Sequence, residues 1–257
     1  MDPRDTAVLL PPASDDRVTD GFFDCAEESA HYAFGVQLLL TQYASLVPWE
    51  REGVAELGSG DARAIAHVVR AVPALRVHGT DISGSSVARA RETIEGVGVA
   101  DRYTVEHGDF FAWADSAGGE RVSTVIANPP YLPAPDGELL MPELWGGWYG
   151  NDLALRLLKA GFDHLLVALP SYSDPAGTLA VAAEQGFRVA NFLAMGLEFG
   201  VYSREPKVRE HISRLTAEGR GWAGEDEYVV AVALLTRSPE LRRDRAVELL
   251  RALQLPV

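Results

Sequence analysis

From Gly53 onward the chain alternates short apolar runs with longer stretches of helical periodicity, and that alternation constrains the fold more than any other feature. Seven runs read as strands: GVAEL (53–57), LRVHGT (75–80), RYTVEH (102–107), VSTVIAN (122–128), HLLVALP (164–170), RVANFLAM (188–195) and EYVVAVALLTR (227–237). Between them DARAIAHVVRAV (61–72), GSSVARARETIEGV (84–97), GNDLALRLLKAG (150–161), PAGTLAVAAEQG (175–186) and REPKVREHISRLTAEG (204–219) read as helices. Strands that take turns with helices predict an α/β domain, its mainly parallel sheet covered on both faces. A further helix is expected over residues 29–47, with apolar positions at Tyr32, Val36, Leu39, Leu40 and Tyr43. A last one is expected from Ser238 as N-cap, with Pro239 in its first turn. We divide the chain into an N-terminal arm and helix (1–48), residues 1–28 forming a loose Asp- and Pro-rich arm, and one catalytic-type domain (49–257). No internal repeat or low-complexity tract interrupts it.

Composition narrows the partners. Lys and Arg total 23 against 37 Asp and Glu, a formal net charge of −14. Such a surface repels phosphate backbones and favours small molecules or basic protein segments. Cys25 is the single cysteine, so no intrachain disulfide can form and a reducing, cytoplasmic setting is expected. The N-terminal apolar run is too short for a signal peptide, and no run approaches a membrane span. The six histidines show no metal-ligand spacing. His78 and His107, in or at the end of strands, read as structural, and no metal is expected.

The first strand runs into Glu56-Leu57-Gly58-Ser59-Gly60-Asp61-Ala62. A glycine turn between strand and helix lets backbone approach a ligand. A dinucleotide loop wants a third glycine where Arg63 stands, and a phosphate loop wants Gly-Lys-Ser/Thr, which is missing. An acidic Glu56 suits a cationic amino-acid ligand and suits a pyrophosphate poorly. Asp81 closes the second strand, placed for ribose hydroxyls, and Asp109 follows the third. One loop carboxylate is ordinarily just solvated, but three at successive strand ends mark the ligand edge of an open α/β sheet.

This stretch resembles the first motif of class I S-adenosylmethionine (SAM) methyltransferases. The resemblance implies a Rossmann-like fold with a seven-stranded, mostly parallel sheet and helices on both faces. It also implies SAM as cofactor, held by Glu56, Gly58, Ser59, Gly60, Asp81, Ile82, Asp109, Phe110 and Asn128. Asp109 would accept from the adenine amine and Phe110 would flank the ring.

At the end of the fourth strand stands Asn128-Pro129-Pro130-Tyr131. The prolines fix φ and hold Asn128 extended. The tetrapeptide resembles the (Asp/Asn)-Pro-Pro-aromatic motif of methyltransferases acting on planar nitrogen, among them nucleic-acid adenine N6 enzymes and the protein-glutamine N5 enzymes of the HemK group. GGWYGNDLALRLL (146–158) is similar to the Gly-Gly-x-x-Gly stretch of the HemK group, and the likeness covers about residues 50–195. An amide or aryl-amine lone pair is delocalised and nucleophilically weak. The Asn128 side-chain carbonyl and the Pro129 backbone carbonyl can accept both N–H groups and favour pyramidal nitrogen as charge develops, while Tyr131 offers a flat face. Such placement is worth about 7–11 kcal/mol. Asn128, Pro129 and Tyr131 are therefore the expected catalytic residues, with Asn128 orienting and not acting as a base.

Ala62 stands where many relatives carry glycine. About 50 residues precede the glycine loop, with one clear helix in place of the helical domain that grips a protein substrate in release-factor enzymes. The polar segment 196–226, with Phe199, Tyr202 and Trp222, reads either as a solvated excursion or as an acceptor-site lid or homodimer contact. Trp145 and Trp148 divide between packing and acceptor recognition, and the helix around Tyr32 and Phe34 is placed to close over the cofactor. The first functional expectation is SAM-dependent N-methylation of an amine or amide on a small molecule of specialised metabolism. The alternatives are a HemK-like protein-glutamine methyltransferase, an RNA or DNA adenine methyltransferase, and a SAM-binding cyclase or other non-methylating enzyme on this fold.

Overall fold

The computed structural model describes residues 25–116 and 122–256; residues 1–24 of the expected arm lie outside them. Seven strands form one sheet: β1 (Val54–Leu57), β2 (Val77–Asp81), β3 (Tyr103–His107), β4 (Thr124–Ala127), β5 (His164–Pro170), β6 (Arg188–Glu198) and β7 (Glu227–Thr236). Their order is β3-β2-β1-β4-β5-β7-β6. The first five are mutually parallel, and β7 runs antiparallel between β5 and β6. The helices are α1 (Ala26–Gln42), α2 (Trp49–Glu52), α3 (Arg63–Ala71), α4 (Gly84–Val97), α5 (Phe110–Ser116), α6 (Asp152–Lys159), α7 (Pro175–Glu184), α8 (Pro206–Ala217) and α9 (Ala246–Ala252).

Strand periodicity sorts the core into two layers. Along β7, Val232 and Leu234 join Ile126 and Leu166 beneath α1, α3 and α4. Their neighbours Ala231, Ala233 and Leu235 join Val125 and Leu165 on the opposite face, beneath α5, α6, α7 and α9. α1 belongs to the first layer through the buried Tyr32, Val36, Leu39 and Leu40. Each such burial is worth about 1.5–3 kcal/mol, so the helix is seated by its apolar stripe and not by its ends. Gly35 lets it come close, since a Cβ there would stand 2.7 Å from Val232 Cβ.

Several features depart from the periodicity. α1 covers Ala26–Gln42 in place of 29–47, so residues 26–28, expected in the loose arm, are helical. β6 continues to Glu198, three residues beyond the expected strand, because it pairs with β7 as far as Glu198↔Glu227. The last helix starts at Ala246 and not at Ser238. The Arg188 guanidinium donates to the carbonyls of Ser238 and Leu241, and Asp244 Oδ1 accepts from the N–H groups of Val189 and Ala246, which holds 238–245 in irregular contact with β6. The short α5, unmarked by periodicity, is capped by Asp109, whose Oδ1 accepts from Ala112 N–H at 2.8 Å. Among the described residues no helix is long and apolar enough to cross a membrane.

Candidate active site

The strand order reverses direction between β1 and β4, and the carboxyl edge of the sheet opens there into a cavity of about 1270 Å³. Every site residue expected from the sequence lines it: Glu56, Gly58, Ser59, Gly60, Asp81, Ile82, Asp109, Phe110, Asn128, Pro129 and Tyr131. Of the charged side chains lining it, eight are carboxylates and three are arginines. That field draws cations and opposes a phosphate backbone.

One end is built on the glycine loop. Gly58 and Ser59 donate their N–H groups to Thr80 O at 2.9 and 3.2 Å, and Gly60 donates to Asp81 Oδ2 at 2.9 Å. These amides are used inside the protein, so the loop has none of the converging free N–H groups that hold a pyrophosphate. Asp81 Oδ1 also accepts from Ser83 N–H at 2.8 Å, tying the loop to the start of α4. Glu56 is 3% exposed and accepts from the Tyr103 hydroxyl. Burial pushes its carboxyl up to about 8 against the Tyr103 bond, and the nearby Asp81 and Asp61 charges push the same way. Ile82 is 74% exposed at the cavity rim, a hydrophobe left in water at the mouth of a cleft. Asp109 is exposed beside it, while the Phe110 ring packs edge-on to Phe111 and beside Phe162, so only part of it reaches the cavity.

The other end is built on Asn128-Pro129-Pro130-Tyr131, directly after β4. Its exit is braced by the Gly-Gly-x-x-Gly stretch: Leu132 N–H donates to Leu144 O and Gly146 N–H donates back to Leu132 O. A Cβ at Gly146 would lie 2.6 Å from Tyr131 Cα, and one at Gly150 2.4 Å from Tyr131 O. Tyr172, Phe199 and Tyr228 wall this end. Leu197, Phe199 and α8, through Val208 and Ile212, pack behind it. Residues 197–204 line the cavity, whereas Trp145, Trp148 and Phe34 do not. Trp145 donates to Ala134 O and Trp148 packs on His211.

The sequence reading missed Glu28. This residue of α1 is 2% exposed and lines the cavity at the Asn128–Tyr131 end. Asn128 Nδ2 donates to its Oε1 at 2.8 Å, and Oε2 accepts from the hydroxyls of Tyr131 and, at 3.2 Å, Tyr228. Burial pushes the Glu28 carboxyl up, while these three donors pull it down. Asn128 Oδ1 is left buried with no partner, and so are Tyr32 Oη and Thr80 Oγ1, each on a residue that lines this cavity. Buried polar atoms are nearly always satisfied, so orphans gathered on one cavity mark a place for a polar ligand. A ligand with a cationic amino-acid part and a ribose fits the carboxylates at Glu56 and Asp81. Among the described residues no group of three His, Cys, Asp or Glu side chains is arranged to hold a metal ion.

The strand order, with β7 antiparallel between β5 and β6, is that of the class I methyltransferase fold. In sequence the chain is similar to release factor glutamine methyltransferases. It is 30% identical to that of Moorella thermoacetica over 179 residues, 66% of this chain and 58% of the relative. It is 28% identical to that of Thermosynechococcus vestitus over 183 residues, 68% of this chain and 60% of the relative. The chain thus spans about three fifths of the length of these curated relatives. Among solved structures, a Pyrococcus horikoshii protein described as an RNA methyltransferase superposes with a TM-score of 0.52 at 15% identity, covering 84% of this chain and 87% of that one, a likeness of fold alone. No family model matches the chain.

Proposed function

We propose that the protein is a SAM-dependent N-methyltransferase whose acceptor is a primary amide of a protein side chain, of the glutamine type. The observation that carries the reading is the buried, unpartnered Asn128 Oδ1 on a cavity whose other end is the acidic glycine-loop cradle. Similarity to glutamine-modifying relatives favours a protein acceptor over the small molecule first expected from charge and chain length.

In this reading Glu56, Asp81 and the loop Gly58–Gly60 hold SAM, with Ile82, Asp109 and Phe110 at its base. When bound, SAM supplies a methyl carbon made electrophilic by a sulfonium. Asn128 Oδ1 and the Pro129 carbonyl accept the two N–H bonds of the incoming amide. They hold its lone pair in line with that carbon and stabilise positive charge as it grows on nitrogen. The prolines keep both acceptors from relaxing, and Tyr131, with its hydroxyl tied to Glu28, keeps its ring as a fixed wall. Asn128 takes no proton, having no basic site at neutral pH, so the N–H proton that the methylated amide must shed passes to water while the spent donor leaves as a neutral thioether.

A second reading, methylation of a small-molecule amide or amine, is favoured by the aromatic enclosure of Tyr172, Phe199 and Tyr228, which admits a narrow group. Incubation with methyl-labelled SAM separates the readings. Label on the glutamine side chain of a folded release factor or ribosomal protein supports the first, and label only on free amides or amines supports the second. Label on RNA or DNA adenine, or SAM consumed with nothing methylated, would refute both.

A further inference from the structure

We propose that Glu28 is a positioning residue for methyl transfer: its carboxylate grips the –NH2 end of the Asn128 side chain and thereby fixes the carbonyl end toward the acceptor. The inference rests on the methyltransferase reading above for its consequence, though not for its geometry.

A side-chain amide has two nearly isosteric ends, one donating and one accepting, and packing alone scarcely distinguishes them. A carboxylate does, because it only accepts. Glu28 Oε1 lies 2.8 Å from Asn128 Nδ2, so a flipped amide would set its carbonyl oxygen against a buried carboxyl oxygen and lose that bond. That leaves Oδ1 buried and without a protein partner, on a residue that lines the cavity. The same carboxylate receives the Tyr131 and Tyr228 hydroxyls on Oε2, so both side chains of the motif that flank the acceptor are oriented by one group. It reaches them from α1, 100 residues away in sequence, and α1 is held by Tyr32 one turn further along and by the Gly35–Val232 contact. The arrangement also sets acceptor chemistry. A cavity that presents a carbonyl selects a nitrogen still carrying N–H; one that presents –NH2 would repel it.

Substitution by glutamine tests the direction of the amide. The two tyrosine donors hold the carbonyl of Gln at the Oε2 position, which places its –NH2 against Asn128 and favours the flipped amide. In Glu28→Gln, kcat is expected to fall about a hundredfold, the loss typical of removing one preorganised transition-state contact, with SAM affinity within twofold of wild type. Glu28→Asp, which retains an acceptor-only group, should recover part of the rate.

A direct readout needs no turnover. The sequence holds three asparagines, Asn128, Asn151 and Asn191, so protein labelled with 15N-asparagine gives three side-chain amide signals. The Asn128 pair should be displaced and slow to exchange in wild type. It should move in Glu28→Gln and Glu28→Ala while the Asn151 and Asn191 pairs stay in place. An Asn128 pair indifferent to Glu28, or a Glu28→Gln enzyme with unchanged kcat, would overturn the proposal. If wild type methylates no acceptor while the Asn128 pair still follows Glu28, the methyltransferase reading falls and the grip on the amide stands.

Discussion

Asp81 reaches from the end of β2 across to Gly60, whose N–H it binds at 2.9 Å, while its other oxygen holds Ser83 at 2.8 Å. One carboxylate thus sets the shape of the loop after β1 and the start of α4. Hydrogen bonds to charged groups contribute about 1.5–3 kcal/mol each. Asp81→Ala, which removes both, should therefore lower the unfolding free energy by about 3 kcal/mol or more. It should weaken SAM binding at least tenfold, an order-of-magnitude figure for one lost charged contact, and leave kcat at saturating SAM much less changed. Isothermal calorimetry and urea unfolding measure the first two effects, and steady-state kinetics the third.

Asn128→Ala should do the reverse. The side chain contributes no bond to the glycine loop, so SAM affinity should stay near wild type, while kcat should fall by about a hundredfold or more. Equal loss of binding and turnover would contradict the orienting role.

Glu56 predicts a pH dependence. Its carboxyl is raised from 4.5 to about 8 in the folded protein without ligand, so the folded state binds a proton more tightly than the unfolded chain does. The stability associated with that proton is fully present below about pH 4.5 and is lost as pH rises toward 8. A cationic ligand reverses the preference by favouring the ionised carboxylate. SAM should therefore bind more tightly as pH rises from 6 to about 8, and near neutrality its binding should release a proton. Thermal unfolding across that range, with and without SAM, tests the first statement. Calorimetry in two buffers of different ionisation enthalpy tests the second.

Gly35→Ala would force a methyl group into Val232, 2.7 Å from its Cβ. Overpacking of this kind costs about 1–3 kcal/mol, and the displaced α1 would carry Glu28 off the Asn128 amide. Unfolding midpoint and kcat should fall together while SAM affinity holds. Reduced stability with unaltered turnover would mean that α1 is only a cover for the sheet.

Much of this architecture is legible in the residues. All seven strands stand as apolar runs, α4 spans the residues its periodicity marks, and both motif loops fall at strand ends as the doubly wound pattern requires. The residues drawn to one cavity by that reasoning share it because β3, β2, β1 and β4 lie side by side and parallel, so their C-terminal ends fall on one edge of the sheet. The errors have physical causes. Ser238 and Pro239 carry good local helix-start signals, yet Arg188 and Asp244, far apart in sequence, outcompete them. α5 is too short for periodicity to show. Glu28 falls in the stretch expected as a loose arm, because the periodicity sets the helix start at Ser29 and not at Ala26. Its one sequence signal is position: it precedes Tyr32 by four residues and so lies on the apolar stripe of its helix, where a carboxylate needs a reason to be. Tyr228 is hidden in the alternation of β7, and nothing local tells that its hydroxyl turns to Glu28.

The contact between α1 and the motif after β4 divides the molecule's work along its length. The glycine loop and the strand-end carboxylates are encoded from Gly53 onward, whereas Glu28 and Tyr32, which line the same cavity, are encoded before it. A chain cut between Gln42 and Trp49 would thus lose, together with Glu28, the buried Tyr32, Val36, Leu39 and Leu40 that cover this face of the sheet, so the group that orients Asn128 cannot be removed with its helix without uncovering the core.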